Sequence, residues 1–187
     1  HLKYVIDQFS ELRIVIEHLS TAYAADFVTQ SRNKVYGTIT PHHLMLTRND
    51  IFSHGLDAYH FCLPIVKTNQ DRERLRIAAT SGNSKFFAGT DSAPHPRSKK
   101  ETRGALAGIF NAPCSVELYA SIFDELKHLD KLSNFLSGFG ADAYGLSRNQ
   151  EVLRLERKPG KVPELIECGN DAILPMYAGK SLPWSIA

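Results

Sequence analysis

The chain has 187 residues, of which 43% are hydrophobic and 22% charged, a composition typical of a globular domain. Its net charge is only +2, from 22 basic and 20 acidic residues, which gives no electrostatic case for nucleic-acid binding. We find no apolar stretch of membrane-spanning length, no secretory leader and no metal-type spacing of the three cysteines, so we expect a cytoplasmic protein that does not enter a membrane.

The first unit of the chain reads as a strand followed by a helix. The run from Leu12 to Glu17 is short and mostly β-branched, which predicts a buried parallel strand that ends at His18. Ser20 or Thr21 can cap the helix that follows, because their side-chain oxygens accept hydrogen bonds from free N–H groups in the first turn.

A second strand is predicted from Val35 to Thr40, and Pro41 is expected to break it into a loop that carries His42 and His43. Adjacent residues of an extended chain point in opposite directions, so at most one of these imidazoles can face a site. We expect both histidines to be loop residues exposed to water.

A third unit follows in the same pattern. Tyr59 to Val66 reads as an extended segment, and a helix then opens near Asn69 and ends at Gly82, since glycine is the usual C-terminal stop of a helix. The next predicted strand runs from Lys85 to Thr90 and places Asp91 at its carboxyl end.

The second half of the chain is helical and then changes character. Ser115 is predicted to cap a helix with one apolar face for packing on a sheet. The residues of that face are Val116, Tyr119, Ile122, Phe123 and Leu126. A shorter helix is predicted from Lys131 to Ser137. The segments EVLRLERK and KVPELIE then flank a Pro-Gly turn, which predicts an antiparallel β appendage.

Strands that alternate with helices predict an α/β fold with a parallel sheet and helices outside it. Polar residues follow the strand ends repeatedly. In barrels of alternating strands and helices, the active site lies on the face formed by the carboxyl ends of the strands. A closed barrel needs eight such units and the sequence offers three or four. We therefore predict part of a (β/α)8 barrel with a short C-terminal β appendage, and no domain boundary within residues 1–187.

His18 and Asp91 are the leading candidates for a metal site. Each alone is weak, because a hydrogen-bonded buried histidine and an aspartate in a strand-to-loop turn are both commoner than metal ligands. Each directly ends a β-rich run, however, so a parallel barrel would aim both into the same mouth. Imidazole and carboxylate are normal zinc ligands, but a catalytic zinc needs three or more protein ligands and only two are well placed.

His95 lies between two prolines and next to Arg97. An imidazole held beside a guanidinium suits recognition of an anionic group such as a carboxylate, although a structural contact within the loop explains the pattern equally well. Cys62 lies in an apolar segment, where the thiolate is disfavoured, so we do not expect a cysteine nucleophile.

Several segments, in this order and at these spacings, closely resemble the dihydroorotases of the single-function type found in bacteria and fungi, within the amidohydrolase superfamily. They are IEHLSTAYAADFV, TITPHHLMLTRND, FCLPIVK, FFAGTDSAPHPRSKKE and GIFNAP. The combination of GTDSAPH with TITPHHL is highly specific. The resemblance implies a (β/α)8 barrel with two zinc ions that reversibly hydrolyses dihydroorotate, a small molecule, to carbamoyl aspartate in pyrimidine biosynthesis.

The resemblance also implies roles for individual residues. His18 would bind one zinc ion, and Asp91 would bind the other and shuttle the proton. His95 would hold the substrate carboxylate. Leu63, through its backbone, and Ala107 would also contact the substrate.

The resemblance is incomplete, because the family's chain is nearly twice as long. Its His-x-His pair, its carbamylated lysine and a further histidine ligand have no counterpart in this sequence. We therefore expect these residues to be the C-terminal portion of a metal-dependent hydrolase barrel. One alternative is a non-catalytic barrel fragment, an interaction or scaffold piece that dimerises or aggregates through exposed sheet edges. Another is a different cyclic amidohydrolase, such as a hydantoinase or allantoinase.

Overall fold

A parallel three-stranded sheet lies at the centre of the fold in the computed structural model, which describes residues 1–53 and 55–187. Its strands are β1 (Ile14–Ile16), β2 (Val35–Ile39) and β3 (Phe86–Ala88), in the order β1-β2-β3. Gly37 of β2 is in register with Ile16 on one side and with Phe86 on the other. Because the strands are parallel, their carboxyl ends lie at one edge of the sheet. The three predicted strands are confirmed, each somewhat shorter than expected.

Helices connect and cover these strands. The α-helices are α1 (Leu2–Gln8), α2 (Ala22–Gln30), α3 (Pro41–Met45), α4 (Arg48–Phe52), α5 (Asn69–Thr80), α6 (Arg97–Lys100), α7 (Ser115–Glu125), α8 (Leu129–Ser133) and α9 (Phe139–Tyr144). Short 3-10 helices span Ala58–His60 and Ala112–Cys114, and a π-helix spans Asn134–Gly138. Among the residues that the structure describes, every helix is too short or too polar to span a lipid bilayer.

Local hydrogen bonds explain where the two longer helices of the first half begin. The Thr21 side chain accepts a hydrogen bond from the backbone of Ala24 at 3.0 Å and so caps α2. Thr68 and Asp71 form a capping box at the start of α5. Asp71 also accepts a hydrogen bond from the backbone N–H of Ala22 at 2.9 Å, which joins the starts of both helices.

Two predictions are wrong in their extent. The extended segment predicted from Tyr59 to Val66 is replaced at its start by a 3-10 helix at Ala58–His60, and the remainder forms no strand. Pro64 lacks the N–H that a sheet ladder needs. The helix predicted from Lys131 to Ser137 belongs to a longer helical path that continues to Tyr144 and ends at Gly145, whose φ of 70° gives the left-handed cap.

The apolar face predicted for α7 packs against the sheet. Tyr119 and Phe123 are buried in the main core with Phe135 of the π-helix. The Tyr119 hydroxyl donates a hydrogen bond of 2.7 Å to the carbonyl oxygen of Ile39, at the end of β2. This bond satisfies a polar group inside the core and ties the helix layer to the carboxyl edge of the sheet.

The C-terminal residues form an antiparallel appendage, as predicted, but the two segments named from the sequence do not pair with each other. The paired strands are β4 (Leu155–Glu156) with β9 (Ser185–Ile186), β5 (Gly160–Lys161) with β8 (Ser181–Leu182), and β6 (Ile166–Cys168) with β7 (Asp171–Ile173). Val162, Met176 and Leu182 join Leu118 of α7 in a second buried cluster. This cluster attaches the appendage to the helical layer.

Candidate active site

His18 and Asp91 follow the two outer strands of the sheet, two residues after β1 and three residues after β3. Both adopt the left-handed backbone conformation, with φ of 43° and 42°. Residues other than glycine seldom do so, and such conformations cluster at functional sites. The turn at His18 is held by β2, because its backbone N–H donates to the Thr38 hydroxyl at 2.8 Å and the next N–H donates to the Thr38 carbonyl oxygen at 2.9 Å.

The two residues line one cavity of about 210 Å³ at the carboxyl edge of the sheet, together with Glu17, Thr38 and Gly89. Thr38 lies between the two candidate ligands on the central strand. A Cβ atom at position 89 would lie 2.7 Å from the Thr38 Cβ, so only glycine allows the chain to pass this close. The structure therefore brings together the two residues that the sequence singled out for a metal site.

The charges around this cavity favour a cation. Asp91 and Glu17 are both exposed residues at the rim of this cavity. Partial desolvation raises the pKa of Asp91, His18 lowers it and the carboxylate of Glu17 raises it. Two acidic groups and an imidazole thus line one small space, in which a cation would be attracted to both carboxylates. Imidazole nitrogen and carboxylate oxygen are donors that zinc accepts, so this chain's residues fit part of a zinc site.

His42 and His43 are buried, with 0% and 2% of their surfaces exposed, so the prediction of exposed loop histidines is wrong. Pro41 does not break the chain into a loop but starts α3, since proline is well suited to the first position of a helix. Thr40 caps this helix by accepting a hydrogen bond from the backbone of His43 at 3.1 Å. Both imidazoles consequently pack inside the protein beneath the strand ends.

Asn111 fixes the protonation of His42. Its amide nitrogen lies 2.9 Å from the Thr90 carbonyl oxygen, which can only accept, and 3.2 Å from His42 Nδ1. Nδ1 therefore accepts, and the hydrogen of the neutral ring is on Nε2. Burial lowers the pKa of His42 well below its usual value. His42 Nε2 and the Asn111 amide oxygen have no hydrogen-bond partner among residues 1–53 and 55–187.

His43 and Cys62 complete a buried group with His42, in which the three potential ligand atoms lie within 4.8 Å of one another. His43 Nε2 and the Cys62 thiol both lie within hydrogen-bond range of the Pro64 carbonyl oxygen, at 2.9 and 3.4 Å. Burial lowers the pKa of His43 to about 4 and raises the pKa of Cys62 to about 11. A metal would require the thiolate. The group therefore fits a packed, hydrogen-bonded core better than a metal centre.

The loop after Asp91 folds back on itself and connects the cavity to the predicted substrate contacts. The Ser92 hydroxyl accepts hydrogen bonds from the backbone of Asn111 at 3.1 Å and of Ala112 at 2.9 Å. Further along the loop, His95 Nε2 lies 3.0 Å from the Ala107 carbonyl oxygen. His95 and Ala107 are thus in direct contact.

Leu63 lies two residues after Phe61, whose backbone is hydrogen-bonded to the same loop. The N–H of Gly108 donates to the Phe61 carbonyl oxygen at 2.9 Å, and the Leu63 side chain is 64% exposed. Arg97 does not act as a free partner of His95, because its guanidinium binds Glu101 at 2.9 Å on the exposed surface of α6. The sequence argument that joined Arg97 to His95 is therefore not supported.

Sequence reasoning missed Thr38, Lys100 and Asn111, whose contacts organise the region. The basic cluster of Arg97, Lys99 and Lys100 is predicted from the sequence as a solvated loop, and this is wrong for Lys100, which lies in α6 and is buried. Thr38 and Asn111 are also buried polar residues. A buried polar residue carries no periodic signal of its own. The position of Thr38 in the middle of a strand that ends in candidate chemistry was the nearest available indication.

No protein-family model matches the chain. Curated proteins with similar sequences are dihydroorotases. A dihydroorotase of Coxiella burnetii is 48% identical over 97% of this chain and 52% of its own length. A dihydroorotase of Nitrosococcus oceani is 43% identical over the whole chain and 54% of its own length. The chain spans about half the length of the curated relatives it matches.

Solved structures agree with these relatives. The crystal structure of a Saccharomyces cerevisiae dihydroorotase in complex with 5-fluoroorotic acid superposes with a TM-score of 0.89 at 33% identity, over the whole of this chain and 54% of that one. A D-hydantoinase structure superposes with a TM-score of 0.76 at 15% identity, over 96% of this chain and 43% of that one. At that identity the hydantoinase likeness shows the fold alone.

Proposed function

We propose that the chain belongs to the dihydroorotase family and forms the C-terminal half of an enzyme that reversibly hydrolyses dihydroorotate to N-carbamoyl-aspartate, as its similarity to curated dihydroorotases supports. The observation that carries this proposal is the shared cavity of His18 and Asp91 at the carboxyl ends of β1 and β3. In a (β/α)8 barrel that edge holds the chemistry. The enzyme would be cytoplasmic, with a small-molecule substrate in pyrimidine biosynthesis.

The sheet supports a barrel that continues beyond these residues. Within the described residues, β1 and β3 each pair with β2 only, so each has one open edge. In the proposed barrel, residues 1–187 are the C-terminal portion of a single domain, and both edges pair with further strands. Unpaired edges otherwise promote association between chains, which is the basis of the alternative proposal of a dimerising fragment.

We assign His18 and Asp91 to the metal centre, with the remaining ligands, including a carbamylated lysine, outside this sequence. Zinc, when bound as a pair, supplies Lewis acidity to the attacking water and to the ring carbonyl. Asp91 accepts the proton of the attacking water and delivers it to the departing ring nitrogen as general base and then general acid.

His95, Ala107 and Leu63 are assigned to substrate binding. Because His95 Nε2 donates to the Ala107 carbonyl oxygen, the ring is held in place and Nδ1 is the atom left for the substrate carboxylate. Nδ1 carries a hydrogen in addition to Nε2 only in the imidazolium form. The cation would then form a charge-assisted hydrogen bond to the carboxylate.

The test measures zinc content and dihydroorotate hydrolysis on the purified protein, in the longest form in which the chain is expressed. We expect about two zinc ions per chain, as in a two-metal hydrolase, and activity that Asp91→Asn abolishes without unfolding the protein. Asp130→Asn, on the exposed surface of α8, is the matched control. Full activity of Asp91→Asn would remove this residue from the mechanism.

The same experiment separates the alternatives. A non-catalytic fragment would bind no zinc and would have no activity in any expressed form. A hydantoinase-like enzyme would hydrolyse an uncharged hydantoin as well as dihydroorotate, and His95→Ala would affect both substrates alike. A dihydroorotase should lose the carboxylated substrate selectively in that variant.

A further inference from the structure

Lys100 is a buried cation at the end of α6, with 3% of its surface exposed. Within residues 1–53 and 55–187 its ammonium group forms no salt bridge, although a buried charge without compensation is strongly disfavoured. The lysine before it, Lys99, is exposed on the same short helix. The two neighbours thus differ in environment rather than in chemistry.

Three backbone carbonyl oxygens compensate the charge. The Lys100 ammonium donates to Gly108 at 2.7 Å, to Leu106 at 2.9 Å and to Phe61 at 3.4 Å. An ammonium group has three hydrogens, so this arrangement uses all of its donor capacity. The cation therefore joins two segments that are more than 40 positions apart in the chain.

These segments carry the residues that we assign to substrate binding. Leu106 and Gly108 lie on either side of Ala107, and Phe61 lies two residues before Leu63. A backbone hydrogen bond of 2.9 Å from Gly108 to Phe61 joins the segments directly. Ala107 in turn accepts the hydrogen bond from His95. Ala107 is thus the chain neighbour of two residues that bind the Lys100 ammonium group, and Leu63 lies two residues from a third. His95 is connected to the same group through its hydrogen bond to Ala107.

We infer that Lys100 is a positioning residue, which holds the Phe61–Leu63 and Leu106–Gly108 segments at the spacing that the substrate requires and steadies His95 through Ala107. This inference rests on the proposed function for its substrate. The backbone hydrogen bond from Gly108 to Phe61 would remain without Lys100. The carbonyl oxygens of Leu106 and Gly108 would lose the ammonium group that donates to them. The Leu106–Gly108 segment would then be held to the Phe61 segment by this backbone bond, without the three hydrogen bonds of the ammonium group.

The test compares Lys100→Met, which keeps the length of the side chain and removes its charge and donors, with Lys99→Met as the matched control. Hydrogen exchange followed by mass spectrometry is read on peptides covering residues 57–66, 104–112 and, as an internal reference, the α5 helix at 69–80. We expect faster exchange in the first two peptides and no change in the third for Lys100→Met. Lys99→Met should match the unmodified protein in all three.

Steady-state kinetics provide the second measurement. A residue that positions the substrate should raise KM for dihydroorotate about tenfold in Lys100→Met while kcat changes less, because mainly binding of the substrate is lost. Lys100→Gln keeps two N–H donors on a shorter side chain. We expect the same changes in smaller degree, and this variant serves if the methionine variant does not fold.

Any one of three results would overturn the inference. Exchange that rises equally in α5 would show that Lys100 stabilises the whole fold and positions nothing in particular. Unchanged exchange in both loop peptides, or an unchanged KM, would show that the anchor is dispensable. Inactivity of the unmodified protein refutes the proposed function instead, and the local exchange result still decides whether Lys100 holds the two segments together.

Discussion

Gly89→Ala should destabilise the protein and disturb the candidate site at the same time. The added Cβ would lie 2.7 Å from the Thr38 Cβ and 3.0 Å from both the methyl and the hydroxyl of that side chain. The Thr38 Cβ is fixed to the backbone of the central strand, so a change of rotamer cannot relieve the closest contact. Overpacking of this kind costs roughly 1–3 kcal/mol.

The cost reaches the site because Thr38 holds the turn that carries His18. Its hydroxyl accepts the His18 backbone N–H at 2.8 Å, and a displaced strand would lengthen that bond. A destabilisation of about 2 kcal/mol corresponds to a fall in Tm of roughly 4–8 °C for a domain of this size. Zinc affinity of the purified protein should fall in parallel, if His18 is a ligand.

Chemical denaturation and thermal melting measure the effect, with Gly104→Ala as the matched control. Gly104 has no atom within 4 Å of the added Cβ and no left-handed φ, so that substitution should be neutral or slightly stabilising. If the two variants unfold within about 0.5 kcal/mol of each other, a difference inside the usual range of surface substitutions, the argument from close packing at the strand ends is refuted.

Three further predictions concern buried polar groups. Asn111→Leu removes the donor to His42 and should lower the free energy of unfolding by about 1–3 kcal/mol in urea titration. Tyr119→Phe removes the bond to Ile39 and should cost about 1 kcal/mol by the same measurement. The pKa of His43 is lowered in the folded protein to about 4, so the unfolded chain binds this proton first as the pH falls. Stability should therefore be fully present above about pH 6.5 and fall towards pH 4, by on the order of 3 kcal/mol from this residue.

Controls for these three predictions are available in the same chain. Asn149→Leu, at an exposed position, should leave the unfolding free energy almost unchanged. His43→Gln should flatten the acid limb of the stability curve, and a limb of unchanged steepness would contradict the assignment to this residue. For Tyr119→Phe, an unfolding free energy equal to that of the unmodified protein would show that the Ile39 carbonyl finds another donor.

Local patterns in the sequence predicted the strands of the sheet and singled out the two candidate metal ligands. β-Branched runs gave β1 and β2, and the polar residue after each outer strand gave His18 and Asp91. The strands are confirmed and the two residues line one cavity, because strand pattern and parallel order together decide which edge the following residues occupy. The metal-binding role of His18 and Asp91 stays a prediction. The resemblance to a family, rather than any pattern of spacing, supplied the substrate and the roles of Leu63, His95 and Ala107.

Tertiary structure alone decided the environment of the polar groups. Pro41 reads equally as a loop breaker or as the first residue of a helix, and only packing beneath the strands buried His42 and His43. Lys99 and Lys100 are the same residue type at adjacent positions, so the sequence does not distinguish them. Lys99 is exposed, whereas Lys100 donates hydrogen bonds to three carbonyl oxygens from distant segments. Burial and long-range hydrogen bonding depend on residues far apart in the chain, so neighbouring residues could not reveal them.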